Sequence, residues 1–282
     1  MKSITVENVT EVVLHSMSKD MTPRAREVMT SLITHLHAFA REVQLTHADW
    51  LTGIDYLTRT GQMTDDKRNE FILVSDVLGL ESLCDAISHD AQGKETESAV
   101  LGPFFREGGP KLARGASIAN RGDADGPSCL LHGKVTDIEG KPIAGARINV
   151  WETGPDGLYE QQDAQQPDMN LRGVFETDAN GTYEIRAVRP VPYPVPYDGP
   201  AGDILKIMGR HPYRPAHIHM IIEAPGYKKL VSQLYDKSDK YLDSDSVYAV
   251  KDSLLLDFKP APSGADTKFD VTHDVVMKRL AK

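Results

Sequence analysis

The stretch Val174-Phe175-Glu176-Thr177-Asp178-Ala179-Asn180-Gly181-Thr182-Tyr183-Glu184-Ile185-Arg186-Ala187 decides the fold class. Its flanks, Val174 to Thr177 and Thr182 to Ala187, read as strands. The centre, Asp178 to Gly181, is built from residues that bond to their own backbone or tolerate left-handed angles, so the spacing predicts a strand pair around a hairpin-like turn. A second pair is predicted upstream: Leu130 to Thr136, a turn at Asp137 to Gly140, then Ala146 to Glu152. Ala216 to Glu223 and Leu230 to Leu234 read as further strands. Several short strands with turn signals predict a β-sandwich.

Upstream the period changes. From Pro23 to Val43, Val28, Leu32, Ile33, Leu36, Phe39, Ala40 and Val43 recur at spacings of three and four, and Thr22 before Pro23 is a start signal. A second helix is expected from Thr46 to just before Gly61, and a third from Thr64 to Ile87, with Thr64, Asp65 and Asp66 at its start. Ile4 to Met17 adds a fourth candidate. The helical pattern dissolves after Asp90 into a Gly- and Pro-punctuated connection. The prediction is an α+β chain: a helical domain over 1–105, then a mainly antiparallel β-sandwich domain over 106–282.

Composition narrows the function. With 32 basic and 41 acidic residues the formal charge is −9, the wrong sign for a phosphate backbone, so nucleic-acid binding is excluded. Cys84 and Cys129 are too few for a disulfide framework or a thiolate cage, which fits a reducing compartment. Neither a signal-peptide stretch nor an 18-residue apolar run is visible, so the expectation is a soluble cytoplasmic protein without a membrane span.

Two His-x-His pairs occur. His35 and His37 fall in a helical pattern, where a two-residue step turns about 200° and separates the rings. His217 and His219 fall in a strand pattern, where residues two apart share a face, so both can address one metal ion; as ordinary strand-surface histidines they would do nothing more. HExxH, Cys-x-x-Cys, P-loop and Gly-x-Ser-x-Gly motifs are all missing. Tyrosine stands out instead: Tyr159 follows Gly157, and Tyr193 and Tyr197 lie within Arg189-Pro190-Val191-Pro192-Tyr193-Pro194-Val195-Pro196-Tyr197-Asp198-Gly199-Pro200. The prolines make that segment stiff and extended, able to hold a side chain in place or simply to pack as a structural loop. A phenol becomes a ligand at neutral pH only against a strongly Lewis-acidic cation, naturally ferric iron. Two phenolates, two neutral imidazoles and one hydroxide would balance its charge.

Over nearly the whole chain these residues resemble the intradiol ring-cleaving dioxygenases, non-haem ferric enzymes of aromatic degradation. The most specific motif is Gly-Arg-His-Pro-Tyr-Arg-Pro-Ala-His-Ile-His at 209 to 219, supported by Leu101-Gly102-Pro103-Phe104-Phe105. Arg189 to Pro196 followed by Asp198-Gly199-Pro200 is most similar to the hydroxyquinol 1,2-dioxygenases. The resemblance implies one Fe(3+) per subunit on Tyr159, Tyr193, His217 and His219, with Tyr197 a non-ligand. It implies Arg214 and Gln233 beside the substrate ring, and a pocket lined by Leu73, Asp76, Val100, Leu101, Gly102, Pro103, Phe104, Val195, Pro196 and Val247. Leu73 and Asp76 are three apart, hence on one helix face.

The resemblance also implies subunits paired through the helical front, often around a bound phospholipid; the residues themselves show only apolar helix faces, which intrachain packing would equally explain. The implied reaction takes an aromatic diol or triol and O2. Tyr193 would be displaced as general base, Arg214 would steady negative charge on the ring, and Asp76 would meet a third hydroxyl. Catechol or chlorocatechol 1,2-dioxygenase is the near alternative. A non-catalytic prealbumin-like module, suggested by Gly133-Lys134-Val135, Gly140 to Ala146, Trp151 and Gly157-Leu158-Tyr159, is the remote one.

Overall fold

A computed structural model describes residues 3–89 and 93–280; Asp90, where the helical pattern was expected to stop, lies outside them. The chain divides into two compact units that part between Thr58 and Arg59.

The first unit holds α1 (Val9–His15), α2 (Pro23–Glu42) and most of α3 (His47–Gln62). Thr22 caps α2 by accepting from Ala25 N, as its place before Pro23 predicts. Thr46 and Asp49 cap α3 reciprocally, and α3 runs one residue past Gly61 instead of stopping before it. Arg41 ties α2 to the segment before it through Val6 O and Thr10, and Thr10 also bonds His37. No residue of α1 or α2 is buried; Leu32, Leu36 and Phe39 of α2, and Trp50, Leu51 and Ile54 of α3, are all exposed.

In the second unit the expected third helix is two. Asn69, not Thr64, caps α4 (Glu70–Val77) by accepting from Ile72 N, and the chain breaks at Gly79 (φ 73°) before α5 (Leu80–Ser88). Asp65 instead accepts from Lys67 and Arg68 N–H and closes a turn ahead of the helix. A helix the sequence reading missed, α6 (Pro200–Ile207), starts at the last proline of the proline-rich stretch, where a fixed φ suits the first helical position. Leu73 and Val77 of α4 pack on Ala201 and Leu205 of α6 with Val195 and Val247.

The strands are β1 (Ser128–Asp137), β2 (Arg147–Trp151), β3 (Arg172–Glu176), β4 (Thr182–Val188), β5 (Tyr193–Pro194), β6 (Tyr213–Arg214), β7 (His217–Glu223), β8 (Leu230–Asp236), β9 (Leu255–Leu256), β10 (Lys259–Pro260), β11 (Phe269–Thr272) and β12 (Val275–Met277). One sheet centres on β1, flanked by β4 on one side and by β11 and β12 on the other, with β10 beyond β11; the other runs β3-β2-β7-β8-β9. Most pairs are antiparallel. The exceptions, β1–β11, β1–β12 and β8–β9, bring in the C-terminal part of the chain.

The two predicted strand pairs are not pairs. β1 and β2 belong to opposite sheets, and so do β3 and β4. Both turns form: Gly140 N bonds Asp137 O, and Gly181 N bonds Asp178 O while the Asp178 carboxylate accepts from Asn180 and Thr182 N. Each then serves as an arch, because Leu131 and Val135 of β1 and Ile148 and Val150 of β2 must face one another across the core. A turn signal reports that the chain reverses, not which sheet receives it.

Strand β7 is buried on both faces. Ile218, Met220 and Ile222 enter the core between the sheets, which leaves His217, His219 and Ile221 on the outer face. Ile221 there joins Phe104, Trp151, Tyr159 and Tyr193 in a second, aromatic cluster.

At the end of β2 the Glu152 carboxyl is buried, accepts from Val188 N, and leaves its other oxygen without a partner. Burial, assisted by Asp125, pushes its pKa well above the usual carboxylate range. A raised folded-state pKa gives stability that is complete below the unfolded-state value and lost as pH rises through the folded one. Glu152→Gln is expected to melt several degrees above the wild type at alkaline pH, since ~1 kcal/mol moves Tm by roughly 2–4 °C at this size, and to match it only below about pH 4, under the unfolded-state value. Parallel melting curves across pH would remove Glu152 from the alkaline loss.

Candidate active site

On the outer face of β7 four donors converge. Tyr159 Oη lies 2.9 Å from Tyr193 Oη and 2.9 Å from His219 Nε2; Tyr193 Oη is 3.4 Å from His217 Nε2, and the two Nε2 atoms are 3.1 Å apart. All four side chains are buried. They come from separate places. The histidines share the outer face of β7, Tyr159 ends the loop after β2, and Tyr193 is fixed by β5, whose short ladder pairs it with Arg214 of β6. His219 stacks on Trp151, its register partner on β2, with ring centres 4.6 Å apart and planes at 8°. Gly157 (φ 78°) brings its turn so close that a Cβ there would stand 2.8 Å from Tyr193 Cβ.

The protonation states fit a metal ion. His217 Nδ1–H donates to Pro215 O at 2.7 Å, which leaves Nε2 as the unprotonated nitrogen. Burial and the nearby Arg214 cation hold His217 well below the ordinary imidazole pKa; burial, His217 and Arg214 do the same for His219. Burial drives the Tyr159 and Tyr193 phenols up, so both keep their protons until a cation displaces them. Donors about 2 Å from one ion at right-angled to tetrahedral spacing stand roughly 2.9 to 3.4 Å apart, the range observed. Among the described residues no group of three His, Cys, Asp or Glu side chains could hold a metal ion, so a centre here needs its phenols.

Arg214 closes one side. It is buried, its Nε and Nη2 donate to Asp245, Nη1 donates to His217 Nε2 at 3.0 Å, and Nη2 also reaches Gln233 Oε1 at 2.8 Å. Although burial opposes its charge, Asp245 keeps Arg214 firmly protonated. Gln233 Nε2 donates to Val100 O at 2.6 Å, and Tyr235 Oη donates to Gln233 Oε1. Gln233 therefore braces Arg214 against the pocket wall.

A narrow cleft above the donors is lined by Leu73, Asp76, Val100, Gly102, Pro103, Phe104, Tyr159, Tyr193, Val195, Arg214, His219 and Val247. Leu101 and Pro196, expected in the lining, are not in it. In extended chain alternate residues face opposite sides: Val100 and Gly102 face the cleft while Leu101 packs with the aromatic cluster, and Val195 faces it while Pro196 turns away. Asp76 is buried, and its pKa is pushed up to about 9, first by burial, then by its hydrogen bond to Glu81 and by that neighbour's charge.

Sequence reasoning missed Asp245 and Arg210. Asp245 accepts from Val247 and Ala249 N–H as well as from Arg214. Arg210 donates to Val77 O, Asp245 O and Ser246 O, joining the end of α4 to the loop that carries Val247. A buried arginine announces that it needs an acid, but spacing does not say which one. Arg210 sits inside the 209 to 219 motif, where its presence was the available signal.

Comparison with known proteins matches residues 100–279 to a family model described as "Dioxygenase" and residues 22–96 to "Catechol dioxygenase N terminus". A catechol 1,2-dioxygenase of Candida albicans is 49% identical over 252 residues, covering 89% of this chain and 83% of that one. A hydroxyquinol 1,2-dioxygenase of a Rhizobium species is 41% identical over 283 residues, covering 97% and 95%. The solved structure of hydroxyquinol 1,2-dioxygenase from Pseudomonas putida DLL-E4 superposes with a TM-score of 0.89 at 40% identity, covering 98% of this chain and 99% of that one.

Gly157→Ala is expected to push Tyr193 out of the cluster. If these four donors hold a metal ion, a chelator should then strip it about tenfold faster, the usual cost of losing a supporting contact. An unchanged stripping time would show that this turn does not hold Tyr193.

Proposed function

This chain belongs to the intradiol ring-cleaving dioxygenases, and we propose that it opens the ring of hydroxyquinol (1,2,4-trihydroxybenzene) with O2, giving 3-hydroxy-cis,cis-muconate, the enol form of maleylacetate. One observation carries the reading: two phenols and two neutral imidazoles meet within 3.4 Å beneath a cleft in which Asp76, the one carboxyl among the described lining residues, is buried. Tyr159, Tyr193, His217 and His219 would hold one Fe(3+) per subunit, which would supply the Lewis acidity and positive charge against which phenolic protons are lost.

The protein's own groups account for the rest. Tyr193 Oη sits at the longest edge of the donor set, 3.4 Å from His217, on a strand of two residues. Tyr159 is stacked on Phe104 at 4.7 Å and is the firmer of the two. Tyr193 is therefore the phenol that gives way to a substrate oxygen and takes its proton at Oη. Arg214, a permanent cation beside His217 and Tyr193, lowers the cost of negative charge spread into the ring, a role in which losing one donor costs about 10²- to 10³-fold in rate. Leu73, Val195 and Val247 give the ring an apolar wall that excludes water. Asp76 stands in that wall as the polar partner for a third hydroxyl, because a buried carboxyl facing only apolar ring would be costly.

A second reading, catechol or chlorocatechol 1,2-dioxygenase, is favoured by the Candida albicans relative, whose name is for catechol. The Asp76 carboxyl in the wall is the observation that ranks hydroxyquinol first. The helical front over 1–105 is assigned to subunit pairing, with a phospholipid between subunits, and 106–282 to catalysis, with Leu73, Asp76, Val100 and Gly102 to Phe104 of the front lending the cleft part of its wall. The exposed apolar faces of α2 and α3 support the pairing. The cytoplasm is the compartment assigned; no described helix is long and apolar enough to cross a membrane.

The purified protein should be red-brown from a tyrosinate-to-iron band that is lost on chelation and shifts on anaerobic addition of hydroxyquinol. Air should then yield the ring-opened product with kcat/KM above that for catechol. A colourless iron-loaded protein would end the metal reading, and a coloured one that turns over only catechol would move the assignment to the second substrate. Replacing Leu32 and Leu36 together by Glu should halve the solution mass measured by sedimentation equilibrium; an unchanged mass would place the subunit contact elsewhere.

A further inference from the structure

Asp76 and Glu81 stand on either side of the break at Gly79, one near the end of α4 and the other in the first turn of α5. Asp76 is 2% exposed and lines the cleft, and its Oδ1 has no hydrogen-bond partner. Its carboxyl is hydrogen-bonded to that of Glu81. Glu81 Oε1 in turn accepts from Leu101 N at 2.8 Å, between the wall residues Val100 and Gly102.

Two carboxyl groups hydrogen-bond only when a proton lies between them. Burial assigns that proton to Asp76, whose pKa is raised to about 9 by desolvation first, then by Glu81, with Asp245 adding to the rise and Arg214 opposing it. Glu81 is only partly buried and already accepts a backbone N–H, so it has an oxygen free of protons to turn toward Asp76. The proton of Asp76 is thus committed to Glu81. What Asp76 has left to offer the cleft is an oxygen with lone pairs and no hydrogen.

The geometry points to Glu81 as a specificity-determining positioning residue: by accepting the proton of Asp76 it makes Asp76 a neutral hydrogen-bond acceptor for a third ring hydroxyl, and through Leu101 N it fixes that acceptor to the opposite pocket wall. The inference rests on the reading that the substrate's third hydroxyl lies against Asp76. A neutral acceptor suits a substrate whose other two oxygens lose protons, because it adds no negative charge beside a ring already becoming anionic. Catechol leaves the acceptor unpaired, and a buried acceptor without a donor is penalised.

The test compares kcat/KM for hydroxyquinol with that for catechol in the same preparation, so that differences in folded or iron-loaded fraction cancel. Anaerobic titration of the visible band gives the two dissociation constants without turnover. Asp76→Asn presents an N–H to Glu81 and a carbonyl oxygen to the cleft, and should keep the hydroxyquinol-to-catechol ratio within about threefold of wild type. Asp76→Ala should lower it about tenfold or more. Glu81→Gln still accepts from Leu101 N but offers Asp76 an N–H, and should lower the ratio about tenfold, through KM and the dissociation constant for hydroxyquinol rather than through kcat. If Asp76→Asn falls as far as Asp76→Ala, Asp76 does not act as a neutral acceptor. If Glu81→Gln leaves the ratio alone, Glu81 does not set it. An unchanged ratio in Asp76→Ala would instead sink the underlying contact with the third hydroxyl, while leaving ring cleavage itself untouched.

Discussion

The guanidinium of Arg214 is buried 3.0 Å from a histidine nitrogen, and a charge in that position must be neutralised where it stands. Asp245 does this, and the need shapes the surrounding chain. The same carboxylate accepts from Val247 and Ala249 N–H, so the loop folds around it, turns Val247 into the cleft and carries Tyr248 in a left-handed conformation (φ 58°). Arg210 lies 4.2 Å over the Tyr248 ring and bonds the carbonyls of Asp245 and Ser246 along with Val77 O of α4. The wall that bears Leu73 and Asp76 is thereby fastened to the loop that neutralises Arg214. Breaking one half of a buried pair typically costs about 3–5 kcal/mol, and here the loss would reach the pocket as well as the cation.

Local periodicity made the histidine pair proposed to bind metal legible. His217 and His219 share a face because strand side chains alternate, and the intervening Ile218 enters the core. The same rule explains why Val100 and Gly102 line the cleft without Leu101. The tyrosines were harder. Tyr159 and Tyr193 lie 34 residues apart and meet where the Gly157 turn closely approaches Tyr193, a long-range contact that no local pattern encodes. Their assignment came from resemblance; the structure brings their hydroxyls to 2.9 Å from each other.

What the sequence concealed was chosen by tertiary structure. The Asp137 and Asp178 turns carry hairpin chemistry, yet each hands the chain to the opposite sheet, because the apolar residues on both sides of the turn are needed on facing walls of one core. The third helical pattern runs unbroken in apolar spacing past Gly79, while the left-handed glycine and the Arg210 bond to Val77 O end α4 there. That break is what lets Glu81 turn back toward Asp76. A continuous helix would have set the two five residues apart, about 140° around the axis, with their carboxyl groups diverging.

The cleft consequently offers a substrate two different electrical environments. One is the donor cluster with Arg214, a buried cation that Asp245 holds protonated. The other is Asp76, whose pKa burial and Glu81 push up to about 9 although it is formally an acid. Placing an ionised carboxylate there would repel an anionic ring and compete with Asp245 for Arg214, eroding the stabilisation that Arg214 provides. Recognition of a further hydroxyl is compatible with that chemistry only if it is achieved without charge, and a carboxyl group whose proton is already committed to a neighbour meets that condition.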